Sequence, residues 1–151
     1  MGIADFLAEY KTFQNFTEAD LQGLSEECAE ATFKKDELVF AEESPGDKMY
    51  ILRAGSVKIF KKIKNNDTTL AIVNPGEFFG EMALLDGGPR SAAAKAIEDV
   101  KALVVTIKNF DNMREKSPHV ALSIMDVLVK TLSNRLRQAN KNLEVISFWI
   151  D

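Results

Sequence analysis

Between Ala31 and Ile107 turn chemistry interrupts the chain every few residues, and this punctuation limits the fold more than any other feature. The runs ATFKKDELVF, KMYILR, SVKIFKKIK, TTLAIV, SAAAKAI and VKALVVTI all read as strands. Between them lie Ser44-Pro45-Gly46-Asp47, Ala54-Gly55, Asn65-Asn66-Asp67, Asn74-Pro75-Gly76 and the stretch from Asp86 to Pro89. Proline and glycine there set turn dihedrals and stop a strand from continuing. Many short strands at such spacing build a β-sandwich or barrel, with jelly rolls among the options. The alternation of apolar and polar residues is imperfect, so the order of strand pairing is not legible.

Helical spacing takes over on both sides. Ile3, Phe6, Leu7 and Tyr10 mark a first helix. Thr17 reads as the N-cap of a second, with Asp20 as its capping-box partner and Leu21 and Leu24 on the buried face. After Ile107, Asn109 to Lys116 reads as a short helix. Ser117-Pro118 then supplies an N-cap followed by proline at the first helical position. Beyond it Ala121, Met125, Leu128, Leu132, Leu136, Ala139, Leu143 and Ile146 follow at steps of three and four, a heptad-like seam. Unbroken, this helix is about 40 Å long and overhangs a domain only about 30 Å across. An apolar seam beyond the core needs a partner, and a homodimer through this helix is expected; the other reading bends the helix back over its own barrel.

Composition narrows the function. The chain has 151 residues, enough for one domain with a real core. It divides into N-terminal helices (1–30), a β body (31–107) and C-terminal helices (108–148). Its formal charge is −4, with 46% apolar and 28% charged residues. Such a chain is not preset for bulk binding to nucleic acid or anionic membrane, so any anion site must be local. One cysteine, Cys28, and one histidine, His119, leave no internal disulfide, no His-rich metal site and no Cys–His nucleophile. Cys28 reads as a small apolar packing residue and His119 as a surface residue. No constellation for bond-making stands out, so no enzyme, metal or cofactor is expected. The start, MGIADFLAEYKTF, has no basic n-region and no long apolar run, which predicts a cytoplasmic protein without a membrane contact. Lys58, Lys61, Lys62 and Lys64 read as the solvent face and tip of a hairpin, not as a nucleic-acid patch. Phe148, Trp149 and Ile150 form an apolar end that should dock on the partner helix, the barrel or another protein.

The stretch Phe79 to Ala92, FGEMALLDGGPRSA, carries the chemistry. Arg90 offers a planar fork of donors that matches two oxygens of a phosphate. Glu81 is acceptor-only and needs a donor such as a ribose hydroxyl; it could also simply pair with Arg90. Glu81-Met82-Ala83-Leu84-Leu85 is rich in helix formers, and a helix starting there points free N–H groups towards Gly80. Gly80 lets backbone approach a ligand without a Cβ in the way. Gly87-Gly88-Pro89 turns the chain so that Arg90 returns over the helix start, with the Ser91 hydroxyl beside it. A ribose cyclic phosphate has the chemistry this pocket asks for.

GEMALLDGGPRSA resembles the phosphate-binding cassette of cyclic nucleotide-binding domains, the family of the catabolite activators, the cyclic-AMP-dependent kinase regulatory subunits and the cyclic-nucleotide-gated channels. The likeness covers nearly the whole chain. ELVFAEESPGDKMYILRAGSVKIF resembles the first strands, with Gly46 and Gly55 at the family's glycine turns, and NPGEFFGEMALL the strand leading into the cassette. The resemblance implies an eight-stranded jelly-roll barrel flanked by N-terminal helices and a long C-terminal dimerisation helix. It implies that Glu81 binds the ribose 2′-hydroxyl and Arg90 the exocyclic phosphate oxygens. Phe79, Gly80, Met82, Ala83, Ser91 and Ala92 would complete the site, partly through backbone N–H groups. Ser91 stands where bacterial activators carry serine and where threonine accompanies cyclic GMP, so cyclic AMP is the implied ligand ahead of cyclic GMP. RLRQANKNL resembles the segment that touches the adenine, partly across the dimer, which implies base contacts from Arg135 and Asn140. Ala139 and Asn140 replace the two hydroxyl residues familiar there, and Asp36 replaces a glycine before the second strand. The implied role is a regulatory sensor that signals through its C-terminal helices to an effector protein, with no direct nucleic-acid contact of its own. The alternatives are a jelly-roll interaction module that no longer binds nucleotide, and the sensor half of a transcription regulator whose helix-turn-helix domain lies beyond Asp151.

Overall fold

Turn residues divide the β body into eight strands, two more than the six runs legible in the sequence. They are β1 (Ala29–Phe33), β2 (Leu38–Phe40), β3 (Lys48–Ala54), β4 (Val57–Ile63), β5 (Asn66–Val73), β6 (Phe78–Phe79), β7 (Ala93–Ala96) and β8 (Val100–Thr106). The helices are α1 (Ile3–Ala8), α2 (Glu18–Glu27), α3 (Glu81–Asp86), α4 (Ile107–Lys116) and α5 (Pro118–Ile150), with a 3-10 turn at Lys11–Phe13. This computed structural model describes residues 2–150, with side chains as far as residue 143. The side chains of Ile146, Phe148, Trp149 and Ile150, and with them the expected docking of the apolar end, lie outside the described residues.

The strands form two antiparallel four-stranded sheets, ordered β1-β8-β3-β6 and β2-β7-β4-β5. This is the expected jelly roll with one correction: the sheets do not close into a barrel. No ladder joins them; side chains bridge the gap instead. Tyr50, Leu52, Val57, Val73, Phe79, Ala94 and Ala102 fill the space between the sheets. A second core lies on the other face of the first sheet, where Met49, Ile51, Leu103 and Val105 meet Leu7, Leu24, Phe110, Ile124 and Leu128 of the helices. Alternate residues of β3 and β8 feed the two cores, as the two-residue period of a strand requires.

Two local features explain departures in the sequence. Asp36 has a left-handed backbone (φ 73°), so it keeps the conformation for which glycine is favoured, and aspartate tolerates it better than most residues. The β4–β5 hairpin turns at Lys64-Asn65, both at positive φ, one residue earlier than Asn65-Asn66-Asp67 suggested. A two-residue turn of that hand matches strand twist, so Asn66 and Asp67 pair with Ile63 and Lys62 in the ladder.

α5 runs for 33 residues, about 50 Å, longer than expected. Among the described residues no helix is long and apolar enough to cross a membrane. From Leu136 to Leu143 every side chain is exposed, so this end of the helix overhangs the domain and does not bend back over the sheets. The seam needs correction at its start. Ala121 and Leu128 are buried in the domain's own core. Among the described side chains of α5, Leu122, Val129, Leu136 and Leu143 are the exposed large apolar ones, one every seven residues. The first half of α5 must serve two faces at once, and steps of three and four fit both stripes.

Thr17 caps α2 as expected: its Oγ1 accepts from the Asp20 N–H at 3.0 Å, and Asp20 Oδ2 accepts from the Thr17 N–H at 3.1 Å. The Asp20 carboxylate is buried and does more than the sequence indicated. Its Oδ1 lies 2.6 Å from His119 Nδ1 and its Oδ2 accepts from Ser123 Oγ at 3.1 Å, so it pins the start of α2 to the start of α5. His119 is at the surface, with 66% of its side chain exposed, yet it partners a buried acid. Cys28 closes α2 half-buried against the helical core, and burial pushes its thiol up to about 11, which suits packing and not reactivity.

Burial opposes ionisation of Asp20, but the hydrogen bonds from His119, Thr17 and Ser123 outweigh it and hold the carboxyl below its usual value. A carboxyl with a lowered folded pKa stabilises the fold above its unfolded pKa, about 4, and loses that contribution as pH falls through the folded value. Asp20→Asn should therefore cost about 1–3 kcal/mol in urea unfolding at neutral pH. The gap to wild type should narrow below about pH 4; a gap independent of pH contradicts this account.

Candidate functional site

β6 delivers Phe79 to the edge of the first sheet, and Gly80 then turns the chain with a left-handed φ of 73° to start α3. α3 ends at Gly87, also left-handed, and Pro89 sends the chain back so that Arg90 lies over the start of the helix. Arg90 is only 5% exposed. Its Nη1 donates to the Gly80 carbonyl at 3.0 Å and its Nη2 to the Lys48 carbonyl at 2.9 Å. The guanidinium carbon sits 4.0 Å from the centroid of the Phe40 ring, a cation–π contact. Phe40 in turn belongs to an aromatic stack with Tyr50 and Phe79, whose two rings are 4.9 Å apart. Arg90 Nε is buried without a hydrogen-bond partner. Burial pulls the Arg90 pKa down and the nearby Tyr50, Asp47 and Glu81 pull it back up; a guanidinium stays charged throughout.

The fit around Arg90 is tight. A Cβ on Gly80 would lie 2.7 Å from Arg90 Nη1, and one on Gly46 would lie 2.5 Å from the Ala83 Cβ and 3.1 Å from Arg90 Nε. Glu81, the first residue of α3, is 3% exposed and forms an ion pair with Arg135 of α5. Glu81 and Arg90 therefore do not neutralise one another; each has its own partners. Ser91 Oγ donates to Met82 Sδ at 3.7 Å across the cassette.

These groups surround a cavity of about 340 Å³. All eight expected cassette residues, Phe79, Gly80, Glu81, Met82, Ala83, Arg90, Ser91 and Ala92, line it, and so does Arg135. Asn140 does not line it; that residue is exposed, more than a turn further along α5. The sequence reading missed the apolar wall, formed by Phe40, Ile59, Leu70, Ala71 and Val73 of the second sheet. Leu70 is 53% exposed in β5, the end strand of its sheet, and nothing in TTLAIV sets it apart from an ordinary strand residue.

A buried cation with an unpartnered donor, a buried carboxylate and an apolar wall suit an anion that carries a hydroxyl and a flat apolar group. The chain belongs to the cyclic nucleotide-binding domain family, whose model matches residues 30–117. It is 30% identical over 145 residues to the CRP-like cAMP-activated global transcriptional regulator of Mycobacterium tuberculosis, covering 95% of this chain and 63% of that protein. Among solved structures it resembles the Thermus thermophilus catabolite activator protein (TM-score 0.80, 31% identity, 91% of this chain and 63% of that one). It also resembles the N-terminal domain of a transcriptional regulator from Streptomyces coelicolor A3(2) (TM-score 0.74, 28% identity, 91% and 96%). The chain thus spans less than two thirds of the Mycobacterium regulator.

Gly80 is the position where backbone and site depend on each other most directly. Gly80→Ala should lower stability by about 1–3 kcal/mol, from the left-handed backbone and the clash with Arg90 combined. Thermal melting checks this; an unchanged melting temperature contradicts the packing described.

Proposed function

We propose that this chain is a cyclic-AMP sensor that reports occupancy through α5. The observation that carries the reading is Arg90, a buried guanidinium with an unpartnered Nε, beside the buried Glu81 in one cavity. Arg90 binds the phosphate oxygens, and the ribose 2′-hydroxyl donates to Glu81. Backbone N–H groups at the start of α3 and at Ser91 and Ala92 complete the phosphate cradle. The apolar wall around Ile59, Leu70 and Val73 takes the base. The family resemblance assigns Arg135 and Asn140 to the base as well, partly across a dimer. The name of the Mycobacterium relative, cAMP-activated, and the serine at position 91 favour cyclic AMP over cyclic GMP.

The Glu81–Arg135 ion pair supports a route from pocket to output. A 2′-hydroxyl donating to Glu81 competes with Arg135, so ligand alters the tie between cassette and α5. Ligand then favours one arrangement of the helix over another, a population shift. The exposed stripe of Leu122, Val129, Leu136 and Leu143 supports a two-helix homodimer, because a repeat of seven is the period of a coiled-coil seam. We assign the protein to the cytoplasm, with an effector protein or further domain as the recipient of the signal.

Calorimetric titration with cyclic AMP should give a saturable heat and cyclic GMP a weaker one. Arg90→Lys keeps the charge but loses the fork, and should weaken cyclic AMP by about 1.5–3 kcal/mol. No heat with either nucleotide, or an affinity that Arg90→Lys leaves untouched, overturns the reading. For the seam, sedimentation should show dimers for wild type and monomers for Leu136→Glu; a monomeric wild type refutes the dimer.

A further inference from the structure

Met82 occupies the second position of α3, on the cavity wall, with 48% of its surface exposed. Its thioether accepts the Ser91 hydroxyl at 3.7 Å, across from Arg90 on the returning arm of the cassette. The other methionines with described side chains are placed differently. Met49 and Met113 are buried in the core, and Met125 is half-buried against it. Among the methionines with described side chains, Met82 is therefore the thioether most open to a dissolved oxidant, and it sits where the anion is read.

We propose that Met82 is a redox-modification site, at which oxidation to the sulfoxide by hydrogen peroxide weakens cyclic-nucleotide binding. The proposal rests on the sensor reading given above. A sulfur lone pair attacks one peroxide oxygen, an S–O bond forms and the O–O bond breaks. The proton moves to the departing oxygen, which leaves as water; sulfur loses two electrons and the peroxide gains them. The product replaces a weak acceptor with a strong one. Its oxygen holds the Ser91 hydroxyl and sets partial negative charge beside the place a phosphate must occupy. It also makes part of an apolar wall polar. The modification is reversible, because methionine sulfoxide reductases return the thioether with a dithiol as reductant. A bound nucleotide fills the cavity that Met82 lines and should shield its sulfur from the oxidant.

The test treats wild type and Met82→Leu with hydrogen peroxide, locates the added oxygen by peptide mass spectrometry, and titrates each with cyclic AMP against its own untreated sample. Wild type should gain oxygen at Met82 before Met125, bind about tenfold more weakly, as for one lost hydrogen bond, and recover after reductase treatment. Met82→Leu should bind equally before and after peroxide, and cyclic AMP present during treatment should slow oxidation of wild type. Unchanged affinity with Met82 fully oxidised, oxidation that spares Met82, or an equal loss in Met82→Leu overturns the redox site alone. Absence of binding by untreated wild type overturns the sensor reading and the redox site with it.

Discussion

The buried guanidinium of Arg90 is the interaction on which the rest of the pocket depends. Taking a cation out of water costs on the order of several kcal/mol unless partners replace the solvent. Here the Gly80 and Lys48 carbonyls and the Phe40 ring do so. That arrangement dictates its neighbours. Gly80 must lack a Cβ because Nη1 lies where one would press, and Gly46 must be small because Ala83 and Arg90 close over it. The Lys48 carbonyl comes from the start of β3 and the Gly80 carbonyl from the residue just after β6, two strands paired in the first sheet. Phe40 comes from β2 in the other sheet. One side chain thus ties both sheets to the cassette, and one of its donors is left without a partner.

α5 combines three tasks on three faces. Ala121, Ile124 and Leu128 pack into the helical core, Leu122, Val129, Leu136 and Leu143 look outwards, and Arg135 reaches Glu81 on the cavity wall. A helix cannot shift one face without shifting the others. A packed element of this kind can carry coupling between sites when two sites bias its position. In the proposed mechanism the Glu81–Arg135 pair is the contact by which the ligand biases that element. Asp20, through His119 and Ser123, holds the near end of the same helix against α2, so motion is expected at the overhanging end.

Much of this was legible in the sequence because the informative signals were local. Glycine and proline mark turns wherever they stand, which exposed the β body; the order of FGEMALLDGGPRSA exposed the cassette, and all eight expected site residues in it line the cavity. What was not legible depends on contacts between distant segments. Closure of the sheets into a barrel turns on edge pairing that no single run encodes. Phe40 and Leu70 join the pocket only because β2 and β5 belong to the second sheet, and their residue types look like ordinary strand residues. Ala121 and Leu128 were set in the seam because two apolar stripes overlap on α5, and only the packed helices reveal which stripe is covered. Asp20 read as a cap and nothing more, since its link to His119 spans 99 positions.

The central claim is that Arg90 is a phosphate receptor already assembled before the ligand arrives. Nitrogen NMR of the arginine side chains tests it most directly, because the Arg90 Nε–H reports on its own hydrogen bonding. With cyclic AMP the account predicts a large displacement of the Arg90 Nε–H resonance to the position of a charge-assisted hydrogen bond, saturating with one nucleotide per chain. A resonance that stays in place while the nucleotide binds would contradict it, because the phosphate would then be held elsewhere.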